Sequence, residues 1–469
     1  MIRRAICAVL LVCIAATAYA ADEKAKTSDQ DDPIGRKLSD RIGPFLQTGH
    51  FYRTDADLLA AWRKKYEQLT VEEKVHYCVF QLRNESWSEM FPVWSDKPYS
   101  MEPEGTASRE LIKLGRAAMP QLLPALGCRI STKMYPSRHM GLRPWLVQDA
   151  ALDTIEHIAC RDFGEAGLFK VSGVGEEGRQ EIRKNIAVWW EKNKGADEVQ
   201  WAKEVLFSEI GVSGRSRDFA IDSLYHRLGE ESYPFLAKAY QRLPKGREHV
   251  DGYDETRSIK EQILYWLLKA PTKNEKTVFS SAVLDAPLSV RIDGAKGLWA
   301  IGDSSGLEAM VKETDRMLTT FGSPRLDSED DNLVSFLARC NTPRSRETVY
   351  KCLQGSNPYL REAAIRSVPS LRMEKAVRAL PELFADPFIL GGSYTEYTGN
   401  VARTVPPRLV CDEAAETFAQ VVPDAPRYDG TTPETQQSSI DKMKQWWKEN
   451  GPKLRWDEKR GMLVRQTKE

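Results

Sequence analysis

Residues 290–303 read VRIDGAKGLWAIGD, and this stretch decides the fold prediction. The aliphatic Val290 is followed four residues later by Gly294 and eight residues later by Leu298. Positions i, i+4 and i+8 lie close together on one face of an α-helix, so Val290 and Leu298 are expected in the core. The small central residue would let a neighbouring helix approach closely. The stretch therefore predicts a helix packed tightly against another helix.

The same spacing of an aliphatic, a small and an apolar residue recurs along the chain. Further copies stand at Val147-Ala151-Ile155, Leu360-Ala364-Val368 and Val410-Ala414-Phe418, with a weaker copy at Ser216-Ala220-Leu224 and divergent copies at Ile259-Ile263-Leu267 and Leu333-Leu337. Between residues 216 and 360 the copies begin roughly 30 to 45 residues apart, which is typical of helix-turn-helix repeats. The chain is therefore expected to be built from repeated helix pairs.

A second pattern predicts the joints between paired helices. Leu114-Gly115 is followed by Pro120, and Leu228-Gly229 is followed by Pro234 at the same spacing. Glycine favours the left-handed conformation that ends a helix, and proline is tolerated in the first turn of the next helix. Each segment is therefore predicted to end one helix and begin another.

The stretch at 290–303, the segment Leu360-Arg361-Glu362-Ala363-Ala364 and the leucine-glycine joints resemble the HEAT repeat, particularly its short HEAT-like type. The resemblance extends, with gaps, from about residue 105 to about residue 420. It implies an all-α, right-handed α-solenoid of stacked helix pairs, which usually serves as a platform for partners. A few short hairpin-like loops are expected between the helices.

The first twenty residues have the pattern of a secretory signal peptide. Arg3 and Arg4 precede an apolar run, and Ala18-Tyr19-Ala20 forms a small-x-small cleavage site. The apolar run is too short to span a membrane, and no later stretch approaches the required length. We therefore expect a soluble exported protein, periplasmic or extracellular, without membrane insertion.

Composition excludes several classes of protein. The 469 residues include 67 Lys+Arg and 67 Asp+Glu, and 41% are hydrophobic. This balance excludes a membrane bundle, a disordered chain, a collagen-like fibre and a strongly basic nucleic-acid binder. Signal cleavage would remove two arginines and no acid, which leaves a slight excess of acidic residues.

Six cysteines would remain after cleavage. No C-x-x-C pair occurs among them, and the chain is too long for six cysteines to act as a disulfide framework. Cysteine packs well as a small hydrophobic residue, so buried free thiols are expected. The six are Cys78, Cys128, Cys160, Cys340, Cys352 and Cys411.

Two longer segments match each other and are expected to frame the repeats. The sequence LVQDAALDTI at 146–155 matches LVCDEAAETF at 409–418, and each is followed by a double tryptophan. The pairs Trp189-Trp190 and Trp446-Trp447 are expected to seal core edges, although a sugar-stacking or peptide-stacking platform is an alternative. Terminal repeats need such caps because no neighbour covers their apolar face.

These features predict the following organisation. The segments are a signal peptide (1–20), a disordered leader (21–50), an N-terminal helical region (51–127), the first module copy (128–195), a HEAT-like array (196–388), the second module copy (389–455) and a C-terminal tail (456–469).

A long loop precedes each module helix, at 129–143 and at 391–408, and these loops are the candidate partner-binding sites. Loops of this length often carry function, and tyrosine and arginine are frequent at recognition hot spots. Hairpins that only cover adjacent helices are the alternative. The candidate residues are Tyr135, Arg138, His139 and Arg143 in the first loop and Tyr394, Tyr397 and Arg403 in the second.

Signals of catalysis are weak, so no catalytic residue, cofactor or metal is predicted. The G-x-G-x-x-G at 173–178 contains Glu176 and Glu177, which would repel a pyrophosphate, and no βαβ pattern surrounds it. His157 and Cys160 could supply part of a zinc site, but the matching module has neither residue. A satisfied histidine is the simpler interpretation.

Two functions of different classes follow. The first is an exported, non-catalytic HEAT-like scaffold that binds a protein or peptide. The second is a glycan-active enzyme on an α/α toroid with an aromatic-lined cleft, which the 12 Trp and 16 Tyr motivate. A HEAT-like chromophore lyase is a third possibility that fits export badly. Nucleic acid is not expected as a partner.

Overall fold

A computed structural model describes residues 66–82, 107–128, 146–163, 176–208, 214–245, 254–319, 329–391, 394–398 and 401–465, with backbone alone for the strands at 394–398 and 401–405. Most of these residues are helical, as the sequence predicts. No helix in these ranges is long and apolar enough to cross a bilayer. The chain divides into two units between Ala239 and Tyr240.

The first unit is described by helices α1 to α8, the last of which contains the division between the units. Their bounds are α1 (Val71–Gln81), α2 (Ala107–Leu114), α3 (Met119–Ala125), α4 (Val147–Ala159), α5 (Glu176–Asn193), α6 (Glu198–Phe207), α7 (Gly214–Leu228) and α8 (Tyr233–Arg242). One apolar core joins α1 to α5.

The second unit continues with helices α9 to α18. Their bounds are α9 (Glu255–Leu267), α10 (Lys276–Val283), α11 (Leu288–Ala300), α12 (Ser305–Thr319), α13 (Glu329–Cys340), α14 (Pro343–Gln354), α15 (Pro358–Leu371), α16 (Glu374–Ala379), α17 (Val410–Val421) and α18 (Pro433–Asn450). A second apolar core extends from α11 to the C-terminal hairpin.

Six short strands occur among the described residues of the second unit. They are β1 (Ile389–Gly391), β2 (Tyr394–Thr398), β3 (Val401–Val405), β4 (Arg408–Leu409), β5 (Leu454–Asp457) and β6 (Met462–Arg465), paired antiparallel as β1–β4, β2–β3 and β5–β6. The last pair begins at the end of the predicted second module copy and continues into the segment that we expected to be a C-terminal tail. The β5–β6 pair is anchored to the second unit because Leu454 and Leu463 are buried in the second core.

The repeated triplets lie in the core. Val290, Gly294 and Leu298 are buried in α11, and the complete triplets on α4, α7, α9, α15 and α17 are buried as well. A Cβ on Gly294 would stand 2.7 Å from the Cβ of Ala282 and 2.7 Å from the carbonyl oxygen of Phe279. The central small residue therefore allows α10 to approach α11 closely, as the sequence predicts.

The leucine-glycine joints also form as predicted. Gly115 and Gly229 have φ values of +58° and +56°, and a short 3₁₀ turn follows each before the next helix begins. Pro120 and Pro234 lie in the first turns of α3 and α8. Positive φ favours glycine, and early helical positions tolerate proline because their N–H groups have no partner within the helix.

The two matching segments begin their helices in the same way. Leu146 and Leu409 are extended, and the N–H of each donates to an aspartate three residues later, at 2.9 Å to Asp149 and at 2.8 Å to Asp412. The carboxylate also lies at the positive end of the helix dipole. Sequence similarity between the segments thus corresponds to the same local structure.

The described cysteines are free and buried, as expected. Burial raises the pKa of Cys160 to about 12 and that of Cys411 to about 11. A thiol with such a pKa is a poor nucleophile at neutral pH because its thiolate fraction is small.

Candidate functional site

The structure describes residues of only the second of the two predicted binding loops. Tyr135, Arg138, His139 and Arg143 lie outside the described residues. The second loop, for which hairpins covering the adjacent helices were the alternative to a binding site, forms antiparallel strand pairs in its described residues. We call residues 389–391, 394–398 and 401–409 the ribbon.

The ribbon consists of two antiparallel strand pairs that share one pairing register. Gly391 pairs with Arg408 and Tyr394 pairs with Val405, so the same register continues from β1–β4 into β2–β3. It shifts by one residue next to Ile389, at a bulge or similar irregularity. In the part of the chain that the structure describes, each of these strands has a single neighbouring strand.

The register places the three predicted residues of this loop on two faces of the ribbon. Arg403 is opposite Glu396, and position 394 shares that face because strand positions alternate with period two. Tyr397 is opposite Ala402 and occupies the other face. The structure therefore brings the positions of Tyr394 and Arg403 together and separates Tyr397 from both.

Apolar side chains are exposed where the ribbon leaves the helices. Phe388 is 38% exposed and Ile389 is 58% exposed. The ring of Phe388 makes an edge contact with Tyr359 of α15, at 5.8 Å between centroids. We call residues 386–389 the foot of the ribbon.

An ion pair fixes the foot to α15. Arg361 Nη2 lies 2.6 Å from Asp386 Oδ2, and Arg361 also donates to the carbonyl oxygen of Gly355 at 2.5 Å. Asp386 Oδ1 accepts the N–H of Phe388 at 3.0 Å. The foot is thus held by both its side chains and its backbone.

A second charged network fixes the other side of the ribbon. Arg408 lies 2.6 Å from the buried carboxylate of Glu413 on α17. Arg366 of α15 lies 3.2 Å from the same carboxylate and 2.8 Å from Asp331 on α13. Because Arg408 and Arg366 share the carboxylate of Glu413, and Arg366 also pairs with Asp331, the base of the ribbon is tied to three helices.

A pocket of about 470 Å³ opens beside the foot. It lies between the last turn of α14, the first turn of α15 and the 3₁₀ helix Leu380–Ala385. Its lining residues are Leu353, Gln354, Gly355, Arg361, Ala379, Glu382, Leu383, Ala385 and Asp386. No local sequence pattern predicts this pocket, because its walls come from three separate segments.

The tryptophan pairs pack at the edges of the two cores. Trp189 is 9% exposed, and its partner Trp190 is half-buried against the first core. Both Trp446 and Trp447 are half-buried, with ring centroids 6.3 Å and 5.5 Å from Phe418. Trp446 also lines an open groove of about 1000 Å³ along α18, so it contacts both core and groove.

His157 belongs to a polar network between α4 and α7. Its Nδ1 lies 3.5 Å from Asp153 Oδ2, and its Nε2 lies 3.5 Å from Asp222 Oδ2. Burial alone would lower the pKa of His157, but the charge of Asp153 and a hydrogen bond to Asp222 raise it to about 9. Arg215 lies 3.5 Å from Asp153 on the far side.

Such an arrangement stabilises charge and suits a structural role. An imidazole that stays protonated at neutral pH is a poor general base. Within the described ranges, no group of three or more His, Cys, Asp or Glu could hold a metal ion. Of the glycine-rich motif at 173–178, the described part begins with Glu176, the first residue of α5.

Sequence reasoning missed the foot of the ribbon, and the one local signal in the ribbon belongs to β3. Val401, Arg403 and Val405 alternate with Ala402 and Thr404, which is a weak period-two pattern. No local signal links Arg361 to Asp386, because charged residues make up 29% of the chain. A scan against protein-family models found no match, and a search of curated proteins also found none.

Proposed function

We propose that this chain is an exported, non-catalytic HEAT-like scaffold that binds an extended segment of a partner protein on the ribbon. The single observation that carries the proposal is a ribbon with an exposed apolar foot in a chain that is otherwise mainly helical. Export is supported by the pattern of residues 1–20, and HEAT-like stacking by the buried triplets and leucine-glycine joints.

Edge strands favour this mode of binding. The outer edge of a strand offers unpaired N–H and C=O groups, and proteins usually blunt such edges with charge, proline or a covering element. A two-stranded ribbon is only marginally stable by itself in water, and a third strand adds hydrogen bonds and buried surface. An extended peptide can supply that strand, with main-chain bonds for affinity and side-chain contacts for specificity.

The ribbon is anchored before any partner arrives. Arg361 with Asp386 holds one strand, and Arg408 with Glu413 holds the other. A pre-ordered edge loses less conformational entropy on binding than a flexible loop would. Tyr394, Tyr397 and Arg403 would then contact the side chains of the partner segment, as expected for recognition residues.

The experiment is capture of the partner by cross-linking. The tagged chain is expressed in its native host, cross-linked, and the recovered proteins are compared between variants. We expect one partner to be enriched by the original chain. It should be lost when residues 394–405 are replaced by a four-residue glycine-serine turn.

The matched control changes another hairpin of the same unit. A four-residue glycine-serine turn replaces residues 458–461 between β5 and β6, which should leave the partner captured. Equal recovery by both variants would place the contact outside the ribbon. Loss in both would indicate general damage, which the melting curves of the two variants would reveal.

Carbohydrate binding is the second candidate, and the groove along α18 favours it. Trp446 lines this groove together with Gln437, Gln445 and the carboxylates of Asp441 and Glu449. An aromatic face beside amides and carboxylates suits a pyranose ring. Asp441 and Glu449 are eight residues apart, about 12 Å along the helix, whereas glycosidase carboxylates stand about 5–9.5 Å apart. Binding is therefore better supported than hydrolysis.

Fluorescence titration tests this second candidate. Chitohexaose, cellohexaose and maltohexaose are added to the full chain and to Trp446→Phe. Saturable quenching that disappears in the variant would support carbohydrate binding. No saturable change with any of the three, or equal quenching of the variant, would count against it.

A further inference from the structure

We propose that the pocket beside the foot takes a lysine or arginine side chain of the extended segment bound on the ribbon. This inference rests on the proposed function, because the pocket adjoins the strand edge where that segment would lie. Asp386 lines the pocket and lies three residues before Ile389, the first residue of β1.

The charges around the pocket favour a cation. The one arginine that lines the pocket, Arg361, already forms an ion pair with Asp386 and donates a hydrogen bond to the carbonyl oxygen of Gly355. Glu382 is exposed and forms no ion pair with the described residues. The C-terminal end of α14, where the helix dipole is negative, and the first turn of α15, where it is positive, both reach the pocket, so their effects largely offset each other. An added positive charge therefore meets one carboxylate without an ion-pair partner in the described part of the chain, that of Glu382.

The shape and the apolar walls suit a long basic side chain. Leu353, Leu383 and Ala379 provide apolar surface for methylene groups. Lysine and arginine bury their stems on such surface while the charged head remains near water or a carboxylate. The volume of about 470 Å³ can hold a complete residue.

Other side chains fit less well. An acidic side chain would be repelled by Glu382, and Arg361 has already committed its Nη2 group to Asp386. An aliphatic side chain could contact the leucines. It would, however, remove water from Glu382 without supplying a partner, which costs free energy.

The test uses four labelled nine-residue peptides of alternating threonine and valine. They differ only at the central position, which is lysine, arginine, norleucine or glutamate, and binding to the full chain is followed by fluorescence anisotropy. We expect the two basic peptides to bind about five- to tenfold more tightly than norleucine, with glutamate weakest. The difference should shrink as salt is raised, because charge pairs are screened.

The variant Glu382→Gln keeps the shape of the side chain and removes its charge. It should abolish the preference for lysine and arginine. Glu458→Gln removes an equally exposed carboxylate in the turn between β5 and β6 and should leave the preference intact. Melting curves confirm that both variants remain folded.

Each outcome bears on the pocket. Tighter binding of norleucine, or an unchanged preference in Glu382→Gln, would overturn the inference while leaving peptide binding on the ribbon in place. A preference for lysine that survives replacement of residues 394–405 would support the pocket and contradict the ribbon. If none of the four peptides binds at millimolar concentration, both proposals fail.

Discussion

The guanidinium of Arg361 pairs with the carboxylate of Asp386 at 2.6 Å and joins helix α15 to the foot of the ribbon. The two side chains are only 14% and 17% exposed. Because Asp386 also accepts the N–H of Phe388, this pair orients the backbone at the foot. The proposed recognition element therefore depends on a contact made within the helical core.

Replacement of Arg361 tests this dependence. Arg361→Ala would leave a mostly buried carboxylate with one hydrogen bond, so we expect the free energy of unfolding to fall by about 2–3 kcal/mol. Urea unfolding followed by circular dichroism measures the loss. The matched control is Arg344→Ala, because Arg344 pairs with Glu308 on the surface and exposed pairs contribute less than about 1 kcal/mol. Equal losses would contradict the anchoring role.

Gly294 tests the close approach of α10 and α11. Alanine favours a helix over glycine by about 1 kcal/mol, yet its Cβ would stand 2.7 Å from backbone and side-chain atoms of α10. We expect Gly294→Ala to lower the melting temperature, with a net loss of about 1–3 kcal/mol. Gly195→Ala is the control, since a Cβ at Gly195 would meet no atom within 4 Å. Stabilisation by Gly294→Ala would show that the two helices are not in tight contact.

Lys260 and Asp285 form a buried ion pair in the second unit. Both side chains are almost fully buried, and Tyr240 also donates to Asp285, at 3.2 Å. Lys260→Met would leave the carboxylate unpaired, so a loss of about 3–5 kcal/mol is expected. The double variant Lys260→Met with Asp285→Asn should lose less than the sum of the two single variants. Strict additivity in urea unfolding would mean that the two groups do not interact.

His157 gives the first unit a defined dependence on pH. Its pKa is raised from 6.5 to about 9 in the folded chain, so the protonated form stabilises the fold. This contribution, roughly 3 kcal/mol, is complete below pH 6.5 and is lost as the pH rises through about 9. Titration of the ring proton by NMR measures the pKa directly.

The variant Asp222→Asn controls that measurement. It removes the negative charge of Asp222, which raises the pKa of His157, and it leaves an amide oxygen as acceptor and Asp153 in place. The ring should then titrate at lower pH, and stability should fall at pH 7 more than at pH 10. An unchanged titration in the variant would exclude the Asp222 contact.

The sequence predicted those features that depend on neighbouring residues. The triplets at i, i+4 and i+8 mark buried helix faces, and Gly115 and Gly229 adopt positive φ. These outcomes follow from helix geometry and backbone sterics within a few residues. Local patterns of this kind are readable without knowledge of the tertiary fold.

Contacts between distant residues could not be read in the same way. His157 lies beside Asp222, 65 residues away, and Lys260 lies beside Asp285, 25 residues away. In a chain with 29% charged residues, many such pairs are equally possible from sequence. Hairpins at 391–408 were expected only as an alternative, because the strands are short and Pro406 and Pro407 are typical of a loop.

Amide hydrogen exchange on the ribbon tests the central claim most directly. The full chain is exchanged with and without the partner recovered by cross-linking, and protection is read at residues 389–398 and 401–409. Added strand pairing on one edge predicts slower exchange at alternating amides of one of these two segments, because only every second N–H points toward that edge. A bound partner that leaves every ribbon amide unchanged would contradict the account.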